Sequence, residues 1–302
     1  MTAESTASAD AAYGQFRPRR SVLYMPSSNE RALEKAKTLP VDALILDLED
    51  AVAPDAKDAA RENACAAVRS GAYGRSELTI RVNGIGSEWH DADMAAASAA
   101  GPDAIVVPKV SSAEEVRRLV AAMESAGAPE RTKLWAMIET PVAVLHAEEI
   151  ASASDRLTVF VMGTNDLNKE LGAELVPGRQ PLLTGLSLTL LGARAAGVAV
   201  IDGVWMDVKD VDGLRAECVQ GRQLGFDGKT LIHPGQIEVC NEVFAPSAEQ
   251  VEDARGVIAA FEAAVAEGKG VATYKGRLVE NLHVDTAHKV LAAAEAIEAL
   301  DR

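Results

Sequence analysis

Eight short runs rich in aliphatic and β-branched residues recur along this chain, each separated from the next by a helix-forming segment. That alternation constrains the fold more than any other feature. The runs are Ser21–Pro26, Ala43–Glu49, Glu77–Asn83, Ala104–Lys109, Lys133–Thr140, Leu157–Gly163, Val198–Trp205 and Lys229–Pro234. Segments such as Ala113–Ala126 and Val142–Ser154, made of Ala, Glu, Leu and Arg, lie between them. Strands buried on both faces read as near-continuous apolar runs, so eight of them in alternation with helices predict a closed parallel barrel, an α/β (β/α)8 TIM barrel. An open doubly wound sheet is the structural alternative, but no GxGxxG or GxxxxGK follows the first run to support it.

After the eighth run the pattern changes. Pro246 and Ser247-Ala-Glu-Gln250, which has the form of a capping box, open a helix with Val251, Ala254, Ile258, Phe261 and Val265 on one stripe. This helix reads as the one that closes the barrel or as the first of an appendage. Gly268-Lys-Gly270 breaks it, a short extended piece Val271–Val279 follows, and Val284–Leu300 reads as a further helix. The expected organisation is a flexible tail over 1–16, a barrel over 17–267, and a C-terminal helical lid or packing cap over 268–302.

At 302 residues and 48% hydrophobic content, the chain can bury a large core without staples. Its three cysteines, Cys65, Cys218 and Cys240, show no metal-type spacing and read as inert thiols in a reducing compartment. The first sixteen residues lack a basic or apolar leader pattern and no apolar run reaches membrane-spanning length, so the expected location is the cytoplasm. A net charge of −15 disfavours nucleic acid and anionic membranes as partners. A small phosphorylated ligand remains compatible with it wherever basic residues gather, as Arg19, Arg20 and Arg31 do around the first run.

Barrels of this kind build their sites where strands end. The run ends carry Asp47-Leu-Glu49-Asp50, Arg81-Val-Asn83, Pro108-Lys109, Glu139-Thr-Pro141, Asn165-Asp166, Asp202 and His233-Pro234. So many ionisable groups at an apolar mouth require pairing or a metal. Carboxylates dominate and no Cys/His cluster accompanies them, which suits an oxygen-liganded cation such as Mg²⁺, with Mn²⁺ as a substitute, rather than zinc. Glu139 and Asp166 end adjacent strands and form the candidate metal pair. Arg81 suits an inward guanidinium that grips a carboxylate or a developing enolate oxygen, or pairs with the strand-two acids, and the two roles are compatible. Asp47, Glu49 and Asp50 would support the metal through water or hold Arg81. A Schiff-base role for Lys109 is redundant beside such carboxylates. His233 reads as a hydrogen-bonded loop residue, and His90 and His146 as ordinary surface or helix histidines. No Gly-x-Ser-x-Gly elbow points to a serine hydrolase.

Taken in order, Arg20-Ser-Val-Leu-Tyr-Met-Pro26 with Asn29-Glu-Arg31, Leu46-Asp-Leu-Glu-Asp-Ala-Val52, Arg81-Val-Asn83, Val107-Pro-Lys109, Ile138-Glu-Thr-Pro141, Gly163-Thr-Asn-Asp-Leu167 and Ile232-His-Pro234 resemble the citrate lyase β-subunit-like family of the HpcH/HpaI aldolases, which includes malyl-CoA and citramalyl-CoA lyases. The resemblance spans the chain from about residue 17. It implies that Glu139 and Asp166 bind Mg²⁺ and, through it, the oxygens of a short oxo acid. It also implies that Arg81 stabilises the oxyanion, with Glu49 and Asp50 beside it in the catalytic set, and that Arg20, Ser27, Asn29 and Arg31 contact coenzyme A. In CoA-dependent members a lid aspartate from a neighbouring subunit serves as acid/base, and here Tyr274-Lys-Gly-Arg-Leu-Val-Glu280 places Glu280 where that aspartate is expected. Asp285 is a weaker substitute.

The implied activity is carbon–carbon cleavage or formation in a short 3-hydroxyacyl-CoA such as malyl-, β-methylmalyl- or citramalyl-CoA, giving an acyl-CoA plus glyoxylate or pyruvate. A homotrimer or homohexamer is implied with it. Three other readings stay open: a thioesterase on the same substrates, a catalytically silent citrate lyase-like subunit, and an aldolase for free pyruvate. The lid is expected to count against a bare citrate lyase subunit.

Overall fold

The computed structural model describes residues 17–301, so the tail expected over 1–16 lies outside the described residues. Two compact units divide the chain, one over residues 19–244 and one from Ala245 onward.

The first unit is a closed barrel of parallel strands in chain order: β1 (Ser21–Pro26), β2 (Ala43–Asp47), β3 (Glu77–Arg81), β4 (Ala104–Val107), β5 (Lys133–Ile138), β6 (Leu157–Met162), β7 (Ala199–Asp202) and β8 (Gly228–Leu231), with β8 closing on β1. Its helices are α1 (Glu30–Ala36), α2 (Lys57–Ser70), α3 (His90–Ala100), α4 (Ala113–Ser125), α5 (Pro141–Leu145), α6 (Ala147–Ala151), α7 (Thr164–Leu171), α8 (Leu183–Ala195), α9 (Val211–Leu224) and α10 (Ile237–Phe244). All eight expected strands are present. Most stop one or two residues before the apolar run does, because the ends of the runs turn outward as the loops that carry the polar groups.

Alternation along each strand sorts the barrel into two separate apolar clusters. Val22, Ile45, Val106, Trp135, Met137, Val159, Val161 and Ile201 fill the interior. Leu23, Leu44, Leu46, Ile80, Ile105, Ile138 and Phe160 belong to the larger cluster, which also takes in buried residues of the helices, among them Ala60 of α2, Val116 of α4 and Leu186 of α8. Extending the inward parity to the strand ends leads to Tyr24, Asp47, Arg81 and Glu139. The barrel pattern therefore decides which charged side chains meet at the mouth.

The second unit comprises α11 (Ala248–Ala266), the antiparallel pair β9 (Ala272–Tyr274) and β10 (Arg277–Val279), and α12 (Asn281–Asp301). Its boundary falls a whole helix earlier than Gly268. The reason is packing: Val257, Ala260, Phe261 and Ala264 of α11 share one apolar cluster with Ala272, Tyr274, Val279 and Val284. The extended piece is a hairpin whose turn residues Lys275 and Gly276 both take positive φ, 46° and 76°, as a two-residue hairpin turn requires. Asp253 of α11 accepts from Lys275 Nζ at 3.0 Å and from Arg277 Nη2 at 2.8 Å. Among the described residues, no helix is long and apolar enough to cross a membrane.

Candidate active site

A cavity of about 300 Å³ opens at the C-terminal ends of the strands. Its polar wall includes Tyr24, Asp47, Asp50, Arg81, Glu139 and Asp166, and Met137, Met162, Met206 and Ile232 supply an apolar side.

Arg81 ends β3 and is buried. Its Nε and Nη2 donate to Asp47 at 2.6 and 2.7 Å, a bidentate grip that only a planar guanidinium makes. The same carboxylate of Asp47 accepts from the amides of Glu49 and Ala51, so it ties the loop after β2 to β3. The remaining Nη1 lies 2.7 Å from Glu49 Oε2 and 3.4 Å from Asp50 Oδ2, and the guanidinium sits 4.8 Å from the centre of the Tyr24 ring. Burial pushes the Glu49 carboxyl up to about 7 even though Arg81 pulls it down. Of the two roles foreseen for Arg81, the structure shows the pairing with the strand-two acids: two nitrogens are held by Asp47, and the third faces Glu49 and Asp50.

Across the mouth, Glu139 follows β5 and Asp166 lies in the first turn of α7, after β6. Glu139 is 2% exposed, and burial followed by repulsion from Asp166 pushes its carboxyl up to about 7. Its Oε1 accepts from the amide of Lys109 at 2.8 Å, and Lys109 Nζ lies 3.3 Å from Asp166 Oδ1. One residue thus grips both carboxylates, and it holds a φ of 54° to do so, a strained conformation for a residue with a Cβ. Gly163 is required here: a Cβ would collide with the Glu139 carboxylate.

Among the described residues no group of three or more His, Cys, Asp or Glu side chains is arranged to hold a metal. The pair nevertheless fits a hard divalent cation. Two carboxylates, buried Glu139 and half-buried Asp166, repel one another, no nitrogen or sulfur donor accompanies them, and Mg²⁺ commonly takes one or two carboxylates and completes its shell with substrate oxygens and water.

The structure does not bring every expected residue here. Arg20 precedes β1 at the opposite end of the barrel, where it pairs with Asp42 through two side-chain bonds of 2.8 Å. The expectation that it grips a coenzyme A phosphate is corrected: its position before β1 puts it at the opposite rim. Asp202 is also withdrawn from the mouth, because it faces outward from β7 into a buried network with Arg179 and Lys229. Burial opposes its charge, but Lys229 and Arg179 outweigh that and hold its carboxyl below the usual range. Ser27 is buried after β1, and its hydroxyl has no hydrogen-bond partner. Asn29 caps α1 by accepting from the Ala32 amide at 3.1 Å, and Arg31 is exposed on the first turn of that helix. His233 caps a short turn by accepting from the Gly235 amide, and His90 is buried, with Nδ1 2.8 Å from the Asn83 carbonyl. Glu280 lies in the second unit, between β10 and α12, with its amide bonded to His283.

Sequence reasoning overlooked Tyr24, the methionines of the cavity wall and Lys57. Tyr24 was legible as the inward residue of β1. Lys57 was legible as a lysine on the buried Ala60/Ala64/Ala67 stripe of α2.

Comparison with known proteins follows the same outline. The model of the HpcH/HpaI aldolase/citrate lyase family matches residues 20–234, and that of a carbon–carbon bond lyase family of the TIM-barrel fold matches residues 185–297. A (3S)-malyl-CoA thioesterase of Cereibacter sphaeroides is 52% identical over 94% of this chain and 98% of its own length. The citrate lyase subunit beta of Escherichia coli is 37% identical over 92% of this chain and 94% of its own. A crystal structure of the Mycobacterium tuberculosis protein CitE with magnesium, acetoacetate and coenzyme A superposes with a TM-score of 0.73 at 31% identity, covering 91% of this chain and 97% of that one.

Proposed function

This chain belongs to the HpcH/HpaI aldolase/citrate lyase family, and from that premise we propose that it hydrolyses the thioester of a short 3-hydroxyacyl-CoA bearing a free carboxylate, with (3S)-malyl-CoA as the first substrate to test. The observation that carries hydrolysis ahead of carbon–carbon cleavage is the 52% identity, nearly end to end, to a relative named for that hydrolysis. The mouth suits it. Glu49, with its carboxyl pushed up to about 7, is the residue to take a proton from water as the water attacks the thioester carbonyl. Arg81 Nη1, beside it, stabilises the oxyanion that forms. Collapse of that tetrahedral species releases the coenzyme A thiolate and leaves the free acid. Glu139 and Asp166 would hold Mg²⁺ or Mn²⁺, which supplies a Lewis acid and a template for the substrate's carboxylate and hydroxyl oxygens. Arg31 and Asn29, on the helix after β1, are the proposed contacts for the coenzyme A portion, and the CoA complex of the tuberculosis relative supports that ligand class. The second unit reads as a lid that brings Glu280 to a neighbouring copy within a homotrimer or homohexamer.

Carbon–carbon cleavage remains the second reading, favoured by the lyase-family match over residues 185–297 and by the citrate lyase relative. The lid does not argue against citrate lyase kinship as first expected, because the alignment to the Escherichia coli subunit spans 92% of this chain. Purified protein given Mg²⁺ and (3S)-malyl-CoA should release free CoA thiol without glyoxylate, and should stop with EDTA. Equal acetyl-CoA and glyoxylate without thiol would replace hydrolysis by the lyase reading.

A further inference from the structure

Lys57 opens α2 just beyond the loop that carries Glu49 and Asp50, and it is 5% exposed. A buried ammonium is costly unless every proton finds an acceptor. Here all three do: Nζ donates to the Leu48 carbonyl at 2.7 Å, the Glu49 carbonyl at 2.8 Å and Asn83 Oδ1 at 2.7 Å. The Trp89 ring lies 5.1 Å from the charge. Burial lowers the ammonium's pKa, against the pull of Asp47 and Glu49.

The acceptors are held in turn. Asn83 Nδ2 donates to Asp93 Oδ2 at 2.6 Å and to the Leu48 carbonyl at 3.0 Å, which turns its oxygen toward Lys57. Asp93 is fully buried and its other oxygen accepts from Arg61 Nε at 2.6 Å. A chain of charge-assisted bonds therefore runs from α2 and α3 to the backbone directly beneath the Glu49 side chain.

We propose that Lys57 is a positioning residue: by fixing the carbonyls of Leu48 and Glu49 against Asn83, it sets where the Glu49 carboxylate meets Arg81. The inference rests on the function proposed above. Because Lys57 acts through Glu49, its loss and the loss of Glu49 are not independent. A lysine that merely stabilised the fold would give losses that multiply.

The test is a double-mutant cycle on malyl-CoA turnover with Lys57→Met, Glu49→Gln and the pair, read as kcat and KM separately. Lys57→Met is expected to lower kcat by about a hundredfold, the cost of misplacing a reacting group by about 1 Å, with KM within a factor of about three. The double variant should be no slower than the worse single one. Losses that multiply, or a Lys57→Met kcat within about twofold of wild type, overturn the proposal. Lys57→Arg guards against simple unfolding. It keeps the charge but cannot place one nitrogen among three acceptors, so a lowered kcat at an unchanged melting temperature supports the proposal and a wild-type kcat overturns it. Hydrogen exchange reads the clamp without substrate: Lys57→Met should speed exchange over residues 48–52 and leave β5 and β6 unchanged, and unaltered exchange at 48–52 overturns it. Wild-type protein inert toward malyl-CoA would instead sink the hydrolysis reading, with the exchange result still deciding on Lys57.

Discussion

At the N-terminal end of the barrel, Arg19 meets Glu77 at 2.6 and 2.9 Å and Arg20 meets Asp42 at 2.8 Å. At the C-terminal end, Asp47, Glu49, Asp50, Glu139 and Asp166 outweigh Arg81 and Lys109, the cations that face them. The same residue types do opposite things at the two ends. At the bottom, each of these arginines lies against a buried carboxylate, an arrangement that serves stability. At the mouth, unneutralised carboxylates with raised pKa values store electrostatic tension that a cation and an anionic substrate can relieve. The contrast teaches that the two ends of this barrel differ in how completely charge is neutralised, not in the presence of charge.

The sharpest way to break the comparison is Glu139→Ala. It should lower turnover by at least about a thousandfold, an expectation scaled on the several kcal/mol a catalytic metal supplies. Calorimetric Mg²⁺ binding should be lost and the melting temperature held or raised, since a repelled buried carboxylate is gone. Full Mg²⁺-dependent turnover would remove Glu139 from the site. The mirror experiment at the bottom is Asp42→Ala, which removes the buried carboxylate that the Arg20 guanidinium and amide share. Denaturant unfolding should show a loss of about 3–5 kcal/mol with kcat per folded molecule unchanged, and a kinetic defect at full stability would contradict the division of labour.

A smaller effect is expected for Arg81→Lys, which keeps charge but forfeits the bidentate hold on Asp47. A fall in kcat of about a hundredfold at near-constant KM is the expected outcome, and a change confined to KM would make Arg81 a binding residue alone. The smallest effect concerns pH. Glu49 is raised from 4.5 to about 7 in the folded protein, so between those values the folded state holds a proton that the unfolded state has released. That contribution is complete below 4.5 and is lost as pH rises through 7. Unfolding free energy followed from pH 4.5 to 7.5 should therefore decline less steeply in Glu49→Gln than in wild type. Identical slopes would mean that Glu49 titrates normally.

Much of this contrast was legible in the chain. The motifs Leu46-Asp-Leu-Glu-Asp50, Arg81-Val-Asn83, Ile138-Glu-Thr-Pro141 and Gly163-Thr-Asn-Asp166 lie at strand ends, and the structure gathers Asp47, Asp50, Arg81, Glu139 and Asp166 around one cavity, with Glu49 against Arg81. Arg20 and Asp202 were misplaced for different reasons: Arg20 lies before β1, at the N-terminal end of the barrel, and Asp202 lies on the outward face of β7. In a strand, one residue of shift turns a side chain to the other face, and a run read one to three residues too long hides which face its last charge takes. The boundary of the second unit was missed because α11 carries an apolar stripe that serves equally well against a barrel or a hairpin, and only packing chose the hairpin.

By itself the sequence determined the eight-strand closed barrel and the rim at which Glu139 and Asp166 come together, because these depend on local periodicity and on chain order around a closed sheet. Tertiary structure alone decided which charges are cancelled. Arg81 finds Asp47 thirty-four positions away, Arg20 finds Asp42 twenty-two away, and Lys57 finds Asn83 twenty-six away. Burial then lifts Glu49 and Glu139 to about 7. A side chain's charge is written in its residue type, but its electrostatic partner and its distance from water exist only once the strands have closed.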